Sequence, residues 1–150
     1  MMQYVIDTAT NNDIPYLKNM WKIIFGDTDD YVDLYFSYKF KEENTFVIKE
    51  DGKIVSTLYV EYNDVFIENK LYKGAYFCGI ATLGEYRKKG YAKKLIEYAK
   101  QNIKKVDIIY LIPANQPLFE FYKQCGFKNF TYIDKKEVLR DKAVVLKNFT

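Results

Sequence analysis

The sequence predicts a mixed β-sheet with helices on both faces, in the α+β or α/β range. Two observations predict it: strand-like and helix-like segments follow the order β, α, α, β, β, β, α, β, α, β, β, and the turn signal Asp51-Gly52 joins two β-rich segments. A chain of 150 residues with 49% hydrophobic and 18% aromatic residues can bury one core. We therefore expect a single domain over residues 1–150.

The start of the chain is predicted to form a strand followed by a helix. Residues Tyr4 to Thr8 form the strand, and Asn12 or Asp13 caps a helix that ends at Gly26. Pro15 lies in the first turn of this helix, where proline is tolerated. Apolar side chains at helical spacing form one stripe: Ile14, Leu17, Trp21, Ile24 and Phe25.

A second helix is predicted directly after the first. Asp29 or Asp30 is expected to cap it. Residues spaced by three and four positions form the apolar face that should pack on the core: Tyr31, Leu34, Tyr35 and Tyr38.

Two consecutive β-hairpins are predicted in the middle of the chain. Thr45 to Lys49 and Ile54 to Tyr62 are rich in β-branched and aromatic residues and flank Asp51-Gly52, a strong two-residue hairpin signal. A further strand pair turns around Glu68 to Lys70, and its second arm extends from Tyr72 to Thr82.

The last part of the chain is predicted to alternate helices and strands after a loop at Gly84 to Gly90. The helix that follows this loop has an apolar stripe of Ala92, Leu95, Ile96, Ala99 and Ile103. Asp107 to Ile112 is strand-like, and Pro117 begins a helix that continues through Gln124. Phe127 to Ile133 and Val138 to Leu146 supply closing strands.

Composition excludes several function classes. The net charge of +3, with lysines spread over the chain, argues against a nucleic-acid partner, and no apolar run approaches the roughly 18 residues of a membrane span. No signal-peptide pattern is present, so a cytoplasmic location is expected. The chain has no histidine, which excludes Ser-His-Asp and Cys-His catalysis. The two cysteines are far apart, and no metal site is expected.

A strand, a basic glycine-containing loop and a helix start follow one another between Ile80 and Ala92. The unpaired N–H groups and partial positive charge of a helix N-terminus suit a phosphate, and small residues at Gly90 and Ala92 let an anion approach the backbone. The segment therefore predicts a phosphate cradle. Taken alone, a solvated basic turn from Arg87 to Lys94 explains the same residues equally well.

This loop resembles the cofactor loop of the GNAT superfamily of acetyl-CoA-dependent N-acetyltransferases. The family pattern is Arg or Gln, two residues, Gly, one residue, then Gly or Ala, and Arg87, Gly90 and Ala92 match it. One position departs from the pattern. The family frequently has proline three residues before the arginine, where this chain has Gly84, which makes the entry to the loop more flexible.

A later segment is similar to a second GNAT pattern: Asn, two residues, a small or apolar residue, three residues, Tyr, three residues, Gly-Phe. Asn115, Leu118, Tyr122 and Gly126-Phe127 fall in that register, at the expected strand, loop and helix downstream of the first segment. Without the register, Tyr122 would be assigned to the core and Asn115 to a helix cap. The register favours function.

The resemblance covers nearly the whole chain and implies a GNAT-like mixed, mostly antiparallel sheet with helices on both faces. It implies acetyl-CoA as co-substrate and direct transfer of the acetyl group to a primary amine of a small molecule or peptide. Tyr122 would protonate the leaving CoA thiolate, since a tyrosine hydroxyl stays protonated at neutral pH. The residues implied to contact the cofactor are Ile80, Ala81, Thr82, Arg87, Lys88, Lys89, Gly90, Tyr91, Ala92, Lys93 and Asn115.

The base that takes a proton from the amine is not evident in the sequence. No carboxylate lies within Tyr72 to Leu83, and the nearest strand candidate, Glu61, is expected to face solvent. Without histidine or a neighbouring cation, Cys78 is predicted to be a small core residue rather than an acyl-accepting thiolate. Direct transfer is therefore favoured.

The sequence also has a weaker similarity to another group of acetyltransferases, and it permits rival functions. The N-terminal part is similar to the leading domain of longer bacterial acetyltransferases of the enhanced-intracellular-survival type, which continue into a lipid-carrier-like domain. A non-catalytic acyl-CoA-binding or interaction module is the rival from another class, and the lack of an evident base favours it slightly. A nucleic-acid binder ranks last, because no concentrated charge stripe is present. Homodimer formation is left open.

Overall fold

The computed structural model describes residues 3–130 and 143–147. Its strands are β1 (Tyr4–Thr8), β2 (Thr45–Glu50), β3 (Lys53–Ile67), β4 (Lys70–Thr82), β5 (Ile108–Leu111), β6 (Lys128–Phe130) and β7 (Ala143–Lys147). Its helices are α1 (Ile14–Phe25), α2 (Asp29–Tyr38), α3 (Tyr91–Asn102) and α4 (Gln116–Gln124). None of the helices described is long and apolar enough to cross a membrane. The elements occur in the order predicted from the sequence.

The sheet is mixed and mostly antiparallel. Among the described residues, its strands follow the order β1-β2-β3-β4-β5-β7-β6. β4 and β5 are parallel, whereas the pairs β1–β2, β2–β3, β5–β7 and β6–β7 are antiparallel. The predicted fold class is therefore confirmed. Of the predicted closing strands, residues 131–142 lie outside the described part of the chain.

The chain divides into two compact units. The first comprises the described residues of Met1–Tyr59 and Gly79–Ile103, and the second comprises those of Val60–Cys78 and Lys104–Thr150. β3 and β4 are long strands, so each contributes residues to both units.

Both predicted hairpins are present because the two-residue turns have the chemistry that such turns require. Asp51 and Gly52 have φ angles of 51° and 79°, and Glu68 and Asn69 have φ angles of 51° and 64°. Two successive residues with positive φ match the twist of the flanking strands. The turns therefore join β2 to β3 and β3 to β4 without further loop residues.

Helices cover both faces of the sheet within the first unit. In the β2–β3 register Thr45 pairs with Tyr59, and the next pair is Phe46 with Leu58, so Phe46 and Tyr59 point to opposite faces. The ring of Trp21 in α1 packs 5.0 Å from that of Tyr59, and the ring of Tyr98 in α3 packs 5.7 Å from that of Phe46. The predicted arrangement of helices on two faces is confirmed here.

The predicted start of α1 is confirmed, since Asp13 is its N-cap and Gly26 ends it with a φ of 71°. The cap of α2 was predicted wrongly, because the Thr28 side chain, rather than Asp29 or Asp30, accepts the hydrogen bond from the Tyr31 backbone N–H at 3.2 Å.

The apolar face of α2 was also predicted wrongly. Its buried residues are Val32, Tyr35 and Phe36, whereas Tyr31, Leu34 and Tyr38 are 50%, 58% and 78% exposed. The buried face is set by the ring of Trp21, which lies 4.9 Å from Tyr35 and 6.2 Å from Phe36. The spacing of apolar residues along α2 gives no information about Trp21, its packing partner on α1.

The second unit is organised by the pairing of β4 with β5. Gly74 pairs with Ile108, and Tyr76 pairs with Tyr110, whose ring stacks on that of Tyr76 at 5.1 Å. β7 pairs with the other edge of β5 in antiparallel register, from Ile108 opposite Lys147. The buried side chains of Ile108, Ile109 and Leu111 place β5 in the interior.

Candidate active site

The predicted phosphate cradle lies in the first unit, between the end of β4 and the start of α3. A short 3-10 turn, Gly84–Tyr86, follows the strand. The Nε atom of Arg87 donates to the backbone carbonyl of Thr82 at 3.0 Å, so the arginine folds back on the strand that precedes the loop. The structure thus brings together the strand end, the arginine and the helix start that the sequence predicted as one segment.

Gly90 gives the loop the conformation that exposes the start of α3. Its φ is 77°, and a Cβ atom there would have one heavy atom within 4 Å, the Lys94 Nζ at 3.7 Å. The left-handed backbone conformation therefore favours glycine, and the space beside it is open. The Lys94 N–H donates to the Gly90 carbonyl at 3.0 Å, so the amides of Tyr91, Ala92 and Lys93 precede the helical hydrogen bonds. With no acidic residue in the first turn, these amides suit an anion.

A buried carboxylate contacts the residues on both sides of Gly90. Glu50, 8% exposed, accepts a hydrogen bond from the Tyr91 hydroxyl, and its Oε2 lies 3.4 Å from the Lys89 Nζ. That hydrogen bond, followed by burial, raises the pKa of Tyr91 to about 12. The side chains of Lys89 and Tyr91 are thus directed towards Glu50, which leaves their backbone N–H groups as the atoms to bind an anion. Sequence reasoning missed Glu50, because it lies about 40 residues before the loop.

The strand end that was predicted to contact the cofactor is fixed by β3. The Ser56 hydroxyl donates to the Ala81 carbonyl at 3.0 Å, and its oxygen lies 2.9 Å from the Thr82 hydroxyl. Just before these residues, Gly79 has a φ of 58°, and a Cβ atom there would lie 2.4 Å from the Tyr59 ring. Sequence reasoning also missed this glycine, although a glycine inside a strand pattern indicates a bend or a close approach.

Asn115 and Tyr122 lie on the second unit, at the start and near the end of α4. Asn115 is the N-cap of the helix, and its Oδ1 accepts from the Leu118 N–H at 3.3 Å. The amide nitrogen of the Asn115 side chain is not used by the cap. The cap and the predicted contact with pantetheine are therefore compatible.

Tyr122 is buried, and this burial makes its hydroxyl less acidic than that of an exposed tyrosine. The residue is 7% exposed, and its ring packs 5.2 Å from that of Phe121 and 6.2 Å from that of Phe127. Burial first, and the Cys125 thiol second, raise the pKa of Tyr122 to about 12. No hydrogen bond among the described residues contributes to this shift. The hydroxyl is thus protonated at neutral pH and able to donate.

The prediction that Glu61 faces solvent was wrong. Glu61 on β3 is half-buried, and its Oε2 accepts a hydrogen bond from the Cys78 thiol at 3.4 Å. The Tyr110 hydroxyl donates a hydrogen bond to the Asn63 side chain at 2.9 Å. The pKa of Tyr110 is raised, mainly by burial; the hydrogen bond with Asn63 lowers this pKa by less, and the nearby Glu61 and Cys78 raise it further. Glu61 is therefore a carboxylate held in place beside polar neighbours within the second unit.

These segments are those of a known family. The sequence matches the family model described as acetyltransferase (GNAT) domain over residues 5–130. This chain belongs to the GNAT family. No curated protein matches the sequence.

Solved structures share the fold of this GNAT domain at low sequence identity. A probable N-acyltransferase from Enterococcus faecalis V583 has a TM-score of 0.66 at 20% identity, over 85% of this chain and 33% of its own. Arabidopsis thaliana Naa50, in complex with the bisubstrate analogue CoA-Ac-MVNAL, has a TM-score of 0.64 at 19% identity, over 95% of both chains. N-acetylglutamate synthase from Neisseria gonorrhoeae, complexed with coenzyme A and N-acetyl-glutamate, has a TM-score of 0.66 at 14% identity, over 97% of this chain and 35% of its own.

This GNAT domain spans about a third of the length of several of the structures it resembles, with 33%, 31% and 33% of three of them covered. At such identities the likeness concerns the fold.

Proposed function

We propose that this GNAT domain transfers the acetyl group of acetyl-CoA directly to a primary amine of a small molecule or peptide. The observation that carries the proposal is the left-handed conformation of Gly90, with open surroundings, directly before the first backbone amides of α3, those of Tyr91, Ala92 and Lys93. We also propose that residues 1–150 act as one domain, since the family match spans both compact units. We also propose a cytoplasmic location, because acetyl-CoA is an intracellular metabolite.

Each proposed role follows from a group that the described residues supply. The N-terminal amides of α3 and the Arg87 guanidinium bind the phosphates, the backbone at Ile80, Ala81 and Thr82 contacts the pantetheine arm, and the Asn115 amide nitrogen donates to it. Acetyl-CoA supplies an activated thioester.

The proton transfers are assigned to two residues of the second unit. Glu61 accepts a proton from the attacking amine while the new N–C bond forms, and it releases this proton to solvent before the next turnover. Tyr122 donates its hydroxyl proton to the sulfur as the C–S bond breaks, and is reprotonated from solvent. The products are the acetylated amine and free CoA.

The acceptor class rests on general GNAT chemistry and on two relatives. Arabidopsis thaliana Naa50 was solved with a CoA–peptide analogue, and the Neisseria gonorrhoeae synthase was solved with N-acetyl-glutamate. A peptide amine and a small-molecule amine therefore both belong to the proposal.

Replacing Gly90 by valine should weaken CoA binding at least about tenfold. The left-handed φ of 77° is strained for a β-branched residue, and the new side chain would enter the open space in front of the amides. Isothermal titration calorimetry with CoA measures the change.

The control for this variant is Gly26→Val at the end of α1. Gly26 has a similar φ of 71° and equally open surroundings, so the substitution adds the same backbone strain away from the loop. It should cost folding stability and leave CoA affinity unchanged. If wild type and Gly90→Val bind CoA with equal affinity, the loop at Gly90 does not bind the phosphates of CoA. CoA binding without acetyl transfer to any amine would instead indicate the rival acyl-CoA-binding module.

Replacing Cys78 by serine should leave acetyl transfer nearly unchanged. The serine hydroxyl can still donate to Glu61, and the carboxylate beside this thiol disfavours the negatively charged thiolate that acyl transfer to cysteine needs. Turnover with acetyl-CoA is measured for both proteins. Mass-spectrometric trapping of an acetylated Cys78 that reacts on with the amine would overturn direct transfer.

A further inference from the structure

The Glu50 carboxylate lies at the end of β2, remote in sequence from the loop but in contact with it. The Tyr91 hydroxyl donates to its Oε2, and the Lys89 Nζ lies 3.4 Å from the same oxygen. These two partners are the residues immediately before and after Gly90. A single side chain thus holds both flanks of the residue on which the conformation of the loop depends.

The loop needs such an external contact. Lys88 and Gly90 have φ angles of 65° and 77°, and the left-handed region is unfavourable for a lysine. Aromatic contacts add to the restraint, since the Lys89 Nζ lies 5.1 Å from the centre of the Tyr86 ring and the Tyr91 ring lies 5.4 Å from that of Tyr4. Exposed loops of this kind otherwise sample several conformations.

A buried carboxylate beside an anion site has two opposite effects. Its negative charge repels a phosphate, which would weaken binding. Its hydrogen bond and ion pair keep the loop in one conformation, which would strengthen binding because less ordering is left to occur when the ligand arrives. The Lys89 ammonium compensates the charge at close range, so the second effect dominates.

We propose that Glu50 is a positioning residue that orients the backbone amides of residues 88–93 for the pyrophosphate of CoA. This inference rests on the proposed function. Glu50 does not touch the ligand: it acts through Lys89 and Tyr91.

Glu50→Gln distinguishes the two effects, because they change the CoA dissociation constant in opposite directions. The variant keeps the size of the side chain and an oxygen that accepts from Tyr91, but it removes the charge and places an N–H donor near Lys89. With Glu50 as a positioning residue, the CoA dissociation constant rises about tenfold, as expected for a lost charge-assisted hydrogen bond. If the carboxylate only repels phosphate, the dissociation constant falls, and the inference is overturned.

Tyr91→Phe tests the same contact without changing any charge. It removes the donor to Glu50 and keeps the ring, so it should weaken CoA binding in the same direction as Glu50→Gln. Both changes weaken the same Tyr91–Glu50 hydrogen bond, so the rise in the CoA dissociation constant of the double variant should be smaller than the product of the two single effects. The matched control is Glu42→Gln in the same unit, where the carboxylate accepts from the Asn11 backbone N–H at 2.6 Å, away from the loop.

Amide hydrogen exchange in the CoA-free protein gives a second readout. Exchange at residues 88–93 should be faster by about tenfold in Glu50→Gln and Tyr91→Phe, and unchanged in Glu42→Gln, with each variant checked for folding by thermal denaturation. Unchanged exchange in both loop variants overturns the inference even if the wild type binds CoA. A wild type that binds no CoA overturns the proposed function, whatever the exchange shows.

Discussion

Replacing Tyr122 by phenylalanine should lower the rate of acetyl transfer by roughly 10²- to 10⁴-fold, the range that a positioned proton donor contributes. The substitution keeps the ring that packs against Phe121 and Phe127 and removes only the hydroxyl, so folding and CoA affinity should change little. Transfer is measured as the release of CoA thiol from acetyl-CoA, with a panel of primary amines that contains a peptide with a free α-amine, a polyamine and glutamate.

The control is Tyr35→Phe, because Tyr35 is buried to a similar degree, at 6% exposure against 7%, within the aromatic cluster of the first unit. This variant should keep its turnover. The wild-type rate should also show no loss of the donor between about pH 7 and 9, since the pKa of Tyr122 is raised to about 12. Near-normal turnover of Tyr122→Phe, under conditions where chemistry limits the rate, would leave Tyr122 as a core aromatic.

Glu61→Gln should lower kcat/KM for the amine by roughly 10²- to 10⁴-fold at neutral pH. The amide has the size of the carboxyl group and can accept from the Cys78 thiol, but it cannot take a proton from the amine. The loss of kcat/KM in Glu61→Gln relative to wild type should become smaller as the pH approaches the pKa of the amine, because a larger fraction of the amine is then already deprotonated. The measurement is kcat/KM for a polyamine as a function of pH.

Asp64→Asn is the control for this variant. Asp64 lies on the same strand, and its carboxylate pairs with the Lys73 Nζ at 3.0 Å on the protein surface, so its loss should cost about 1 kcal/mol of stability or less and no activity. Wild-type kcat/KM in Glu61→Gln at neutral pH would show that the amine loses its proton to water instead.

The features that the sequence predicted correctly depend on local chemistry. Asp51-Gly52 forms a tight turn because of its own backbone preferences, and Gly26 ends α1 for the same reason. The strand, loop and helix start that contain Arg87, Gly90 and Ala92 were predicted equally well, because these residues lie within one segment. In these cases the residues that determine the structure are neighbours in the chain.

The features that were missed depend on partners far away in the sequence. The buried face of α2 is set by Trp21 on another helix and differs from the stripe that spacing alone favours. Glu61 was expected in water because its contact with Cys78 requires β3 and β4 to be paired in a particular register. Glu50 was overlooked for the same reason, since its partners become neighbours only after folding.

The Tyr59 ring, which closely approaches Gly79, lies beside a tryptophan whose fluorescence can be measured. The chain has one tryptophan, Trp21, and its ring lies 5.0 Å from that of Tyr59, the ring that a Cβ atom at position 79 would strike. Trp21 is buried and donates its indole N–H to Asp27 at 2.7 Å. Its fluorescence is therefore an intrinsic signal from the aromatic layer directly beneath the strand end of Ile80, and reports on that layer without any added label.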